Sequence, residues 1–136
     1  MTDLYLAAAD AVEMVITWLI PLDGDVGPQR YAGQPMPYVW VNEIDGVDDK
    51  ITETTVLSVH TFGADYWSAR AHARTVHRRM LALAPPMTGQ KRVTLADGRI
   101  VYADSVETEE SPTWRDYGQN DIFRFTARYS IDVRML

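Results

Sequence analysis

From Ile122 to Leu136 the chain alternates without a break, Phe123, Phe125, Ala127, Tyr129, Ile131, Val133 and Met135 against Arg124, Thr126, Arg128, Ser130, Asp132 and Arg134. Successive side chains of a strand point to opposite faces, so a period-two pattern of this length predicts a half-buried antiparallel strand and excludes a helix here. A strand this long at the end of the sequence needs something against both edges as well as one face. The expectation is assembly with other chains.

The 136 residues predict a single domain, 1–136, large enough to bury about two thirds of its unfolded surface in one core. Hydrophobic residues at 46% and charged residues at 24% suit a globular chain and are too apolar for a disordered one. The net charge of −6 argues against a surface built to neutralise nucleic-acid phosphates or anionic lipid, which needs an excess of Lys and Arg. It does suit a wall that DNA slides past. Without cysteine there is no disulfide scaffold, thiolate metal site or Cys nucleophile, and folding in a reducing compartment is unhindered. Met1 to Leu22 contains Asp3, Asp10 and Glu13 and lacks a basic start, so neither a signal peptide nor a membrane span is expected, and the chain is expected to arise in the cytosol.

A first helix is predicted from Asp3 to Ile20, with Asp3 as its cap, a buried stripe of Leu4, Ala8, Ala11, Val12, Val15 and Leu19, and Pro21 as its stop. Residues 21–35, rich in Gly, Pro and Asp, read as an extended loop. Tyr38–Ile44 and Ile51–Phe62 read as a hairpin turning through Asp45 to Asp49. A second helix after Gly63 buries Ala69, Ala73, Val76, Met80 and Leu83, with Asp65 in its first turn, Arg78 and Arg79 near its other end, and Pro85 and Pro86 beyond. Asp97-Gly98 marks a hairpin between Arg92–Leu95 and Arg99–Val106, and Glu107–Asp121 reads as a linking loop before the last strand. The predicted fold is α+β, two amphipathic helices packed on one face of a mainly antiparallel sheet in the order α-β-β-α-β-β-β. Its second face is left wet or open to a partner.

Chemistry-bearing motifs are sparse. His72 and His77 are five apart on the second helix, about 500° of rotation at 3.6 residues per turn, and do not share a face as zinc ligands would. Asp23, Asp25 and Gly27 lack the spacing of a calcium loop. No serine has a nucleophile-elbow setting and no Gly-rich loop opens a helix. Glu107, Glu109 and Glu110 read as solvated charge rather than an acid–base pair. Neither catalytic nor metal-binding residues are expected, nor a cofactor.

Two surfaces stand out instead. The second helix carries Arg70, Arg74, Arg78 and Arg79, a basic stripe in an acidic chain; an ordinary solvated helix face gives the same pattern. Tyr31, Tyr38, Trp40, Trp114 and Tyr117 fall in or beside expected loops and turns, where aromatic residues serve as binding anchors, although some must pack into the core.

With its N-terminal helix, strand hairpin, arginine-bearing helix and β-rich end, RVTLADGRIVYADSVETEESPTWRDYGQNDIFRFTARYSIDVR, the chain resembles the tail-terminator proteins of long-tailed phages, especially those of actinobacteria. The likeness lies in the segment around Pro112, Trp114 and Tyr117, the strand with Arg124, Tyr129 and Arg134, and the stretch from Arg74 to Pro85, and it follows the element order over nearly the whole chain. It implies a subunit of a homohexameric ring at the neck end of the virion tail, assembled in the host cytoplasm. Such a ring caps the tail tube, ends its polymerisation and offers a docking face to the head connector or stopper protein, with genomic DNA only passing through and no membrane involved. On that reading Arg70, Arg74, Arg78, Trp114, Arg115, Tyr117, Arg124 and Arg128 are expected at subunit or tube contacts, and Asp45, Asp48 and Asp49 facing the channel. A head-closure or adaptor neck protein is the nearest alternative. A cytosolic small-ligand-binding or enzymatic α+β domain, with the aromatic loops and Glu107 to Glu110 around a pocket, is the alternative from another class.

Overall fold

A computed structural model describes residues 4–29, 31, 33–48, 53–84, 91–118 and 121–135. Helix α1 spans Leu4–Leu19 and helix α2 Tyr66–Leu81, with strands β1 (Asp25–Gly27), β2 (Tyr38–Asp48), β3 (Glu53–Gly63), β4 (Arg92–Thr94), β5 (Ile100–Arg115) and β6 (Phe123–Met135). The strands form one sheet in the order β1-β2-β3-β6-β5-β4, antiparallel throughout except for the parallel β1–β2 pair. The fold is α+β, and both helices pack on the same face of the sheet.

Register explains which residues are buried there. Val41 pairs with Val59, Val59 with Ala127, and Leu57 with Tyr129, so these side chains share one face. They form a single cluster with Ala11, Met14, Val15 and Leu19 of α1 and Val76 and Met80 of α2. Each large apolar side chain buried in this way contributes about 1.5–3 kcal/mol. Where their side chains are described, the stripes expected on both helices are buried except for Val12, which is half-buried; Met14 completes that of α1, and Leu83 is buried just past the end of α2. Asp3, its expected cap, lies outside the described residues.

The two helices are also clamped together. Trp18 Nε1 donates to the Arg79 carbonyl at 2.7 Å, Arg79 Nε donates to the Trp18 carbonyl at 2.8 Å, and the Arg79 guanidinium lies 3.6 Å from the indole centroid. Asp65 caps α2 from just outside it, rather than standing in its first turn. Its backbone is extended and its carboxylate accepts from the Ser68 amide and hydroxyl, both at 2.9 Å, which holds its pKa below the usual carboxylate value.

Four expectations need correction. The terminal strand is not an edge: β3 and β5 flank β6 on either side, so its backbone is satisfied within the chain and its length is no argument for assembly. Residues 21–35 are not all loop, because β1 pairs with the start of β2. The segment is latched there by Tyr38, whose hydroxyl donates to the Gln29 carbonyl, and by Trp40 Nε1, which donates to the Pro28 carbonyl at 2.7 Å. Gly24 is required in this latch, since its φ is +83° and a Cβ would stand 2.2 Å from the Pro37 carbonyl oxygen. Asp45 and Asp48 belong to β2 rather than to a turn, pairing with Val56 and Glu53; Asp49 lies outside the described residues. Finally, Glu107 to Arg115 is strand, not linking loop. Three register shifts in β5, at 103/105, 108/110 and 110/113, break the period of two that would have revealed it.

Candidate functional site

The shifts in β5 and the small residues of α2 together build a cleft at one end of the molecule. Gly63 ends β3 directly beneath α2: a Cβ there would meet the Ala69 backbone at 2.8 Å. Ala69 and Ala73 keep this part of the helix low on the sheet, where they bury Phe125 of β6. Beyond them the last residues of β5, Thr113 to Arg115, pair with Thr126 to Arg124 of β6. The result is a cleft of about 470 Å³ between α2 and β5, with Phe125 among its lining residues, Tyr66, Arg70 and Arg74 on the helix side, and Trp114 on the strand side.

Its rim is apolar and cationic. Trp67 is 70% exposed, Trp114 45% and Tyr66 37%, so three of the large exposed hydrophobic side chains lie at or beside this one place. The Tyr66 ring centroid is 5.4 Å from Phe125 and 5.0 Å from Trp67, and the Arg70 guanidinium is 5.9 Å from the Trp67 centroid. Arg74 and Arg78 are exposed and make no ion pair among the described residues. Exposed Trp and Tyr beside uncommitted Arg is the composition of a protein-binding hot spot.

The remaining expected contact residues lie on the opposite face of the sheet or are already engaged. Tyr117 is folded onto Phe62, edge to face at 5.0 Å, with the Arg124 guanidinium 5.3 Å from its ring centroid. Arg124 also donates to the Asp116 carbonyl at 3.2 Å, and Arg115 is paired with Glu110 at 2.6 Å. Arg128 is exposed on that face, between Ser58 of β3 and Glu110 of β5. The fold thus brings Arg70, Arg74 and Trp114 together and does not bring Tyr117, Arg124 or Arg128 to them.

That second face also holds a feature the sequence did not point to. His60 stacks on Trp40 with ring centroids 4.6 Å apart, its Nε2 pairs with Ser58 Oγ at 2.8 Å, and its Nδ1 pairs with Thr126 Oγ1 at 3.2 Å. Burial, with the charges of Arg124 and Arg128, pushes its pKa down to about 4, so the ring is neutral at pH 7. The only hint was the alternation that puts positions 40, 60 and 126 on one face.

A larger cleft, about 620 Å³, opens between α2 and the segment around Pro37, and His72 Nε2 is buried in its lining without a hydrogen-bond partner among the described residues. Burial lowers the His72 pKa and Asp23 opposes that shift. Glu107, Glu109 and Glu110 line neither cleft. Among the described residues no group of three or more His, Asp or Glu is placed to hold a metal ion, and no helix is long and apolar enough to cross a membrane. No family model and no curated protein matches the chain.

Proposed function

We propose that this chain is a structural subunit of a phage tail, a tail terminator that closes into a hexameric ring on the end of the tail tube and docks the head connector. The observation that carries the reading is the Arg70, Arg74 and Trp114 cleft, an exposed aromatic and cationic surface on an otherwise acidic protein. Its composition is that of a protein contact rather than a reaction centre.

Capping follows from geometry. A tube grows because each ring offers the next a surface complementary to its own opposite face, an open heterologous contact. A ring that matches the tube on one side and lacks the tube's continuing surface on the other ends that series. The acidic residues Asp45 and Asp48 are proposed to face the channel, where repulsion lets DNA pass without sticking. Partners are then further copies of the chain, the tube protein and the connector, and no cofactor or catalytic group is required.

The test is tube length. Tube protein polymerised with this chain gives tubes of limited length bearing a cap at one end, seen by negative-stain electron microscopy, and polymerised alone gives long, uncapped tubes. Equal length distributions with and without the chain contradict the reading. Co-purification with filled, tailless heads rather than with headless tails favours a head-closure role instead.

A further inference from the structure

We infer that the Arg70, Arg74 and Trp114 cleft receives the β2 edge of a second copy, with Ile44 seated among the cleft's aromatic rings and Glu43 against its arginines. The inference rests on the ring reading above and names the contact that would close the ring.

Both partners of this contact lie on open sheet edges. β1 covers β2 only from Tyr38 to Trp40, and β4 covers β5 only from Ile100 to Tyr102. Among the described residues no other strand pairs with the outer edge of the rest of either strand, and the two edges lie at opposite sides of the sheet. Such edges invite indiscriminate pairing, and bulges are a common safeguard. Here β5 is shifted three times and β2 once, between Glu43 and Asp45. A bulge also re-aims side chains. Ile44, at the β2 shift, is 43% exposed, and Trp114, beyond the last β5 shift, is 45% exposed. Each edge thus trades continuous backbone pairing for one outward apolar residue.

Charge matches the two edges. Next to Ile44 is Glu43, and β2 contains no Lys or Arg. Around Trp114 stand Arg70 and Arg74, with no ion-pair partner among the described residues. Because the two surfaces differ and lie on opposite edges, the contact is head-to-tail and can propagate into a closed ring, whereas a self-complementary patch would stop at a dimer. Trp114 is level with Val39 through the ladder Trp114–Phe125–Thr61–Val39. Ile44 lies five positions further along β2, an offset of about 17 Å at the rise of a strand. Strands in such a ring run oblique to its axis, as they do in closed barrels.

The absence of cysteine allows a direct test. Ile44→Cys combined with Thr113→Cys, mildly oxidised, is expected to give a covalent ladder on a non-reducing gel, rising to a closed species of six. In parallel, Glu43→Arg or Arg74→Glu alone is expected to weaken assembly about tenfold or more, and the two together to restore it. A ring of six that gives no ladder and ignores both charge reversals overturns this contact and leaves the ring reading standing. A ladder that stops at two overturns it as well. A chain that stays monomeric at every concentration, alone and on the tube, overturns both.

Discussion

His60 ties the stability of the chain to pH. Its folded pKa, near 4, lies below the ordinary 6.5 because burial and then the charges of Arg124 and Arg128 disfavour the imidazolium. Between those two values the unfolded chain takes up a proton that the folded chain refuses, so stability is full above pH 6.5 and falls as the pH drops through this window. Burial also lowers the pKa of His72 and His77, which act in the same direction. The His60 share is expected to be about 1–2 kcal/mol after allowing for its partial exposure. Urea midpoints of the wild type and His60→Gln compared at pH 7.5 and 4.5 measure it: the wild type loses more on acidification, and parallel losses contradict the assignment. Gly63 is the other residue on which much turns. A Cβ there meets the backbone of Ala69, so Gly63→Ala is expected to cost about 1–3 kcal/mol and to lift the first turns of α2, opening the cleft. A drop in melting temperature accompanied by a change in Trp fluorescence checks this, and an unchanged protein refutes it.

Among the elements, α1 and α2 depend on the reciprocal clamp of Trp18 and Arg79. Arg79→Lys keeps the charge but loses the planar stacking and the Nε donor, with an expected cost of about 1–2 kcal/mol by urea denaturation. An unaltered midpoint shows the clamp to be incidental. The helices themselves were legible in the sequence because burial follows the helical period, as at Ala69, Ala73, Val76 and Met80. So was the hairpin at Asp97-Gly98, where Gly98 has φ +90° and its amide donates to the Leu95 carbonyl at 3.0 Å. The far half of β5 was not legible. From Glu107 to Arg115 every residue but Glu110 and Pro112 is exposed, Pro112 interrupts, and the shifts destroy alternation; only pairing with β6 makes it a strand. The same fact hid the site. Trp114 and Arg74 were each picked out in isolation, but nothing local says that β5 extends far enough to bring them to one cleft. Tyr117 and Arg124 had equally suggestive residue types, and folding directs them to cover Phe62 instead. β1 was missed for a similar reason, since three residues paired in parallel leave no periodic trace.

At the scale of the whole molecule, one sheet face is covered by helices and the other carries Trp40, His60, Arg124 and Arg128 on a polar lattice. Tyr66, Trp67 and Trp114 are exposed beside Arg70 and Arg74 at the cleft, while Ile20, Tyr31 and Ile44 are exposed elsewhere. Trp114→Ala, which removes an exposed ring without emptying the core, is expected to leave thermal stability within about 0.5 kcal/mol of wild type while weakening assembly and lengthening tubes. Loss of fold with no separate loss of capping would assign Trp114 a packing role only. The most direct measurement is the mass of the purified protein in solution, by light scattering over a concentration series, alone and with the tube protein. A closed ring of six is expected, either in the protein alone or formed on the tube. A monomer indifferent to concentration and to the tube would contradict it.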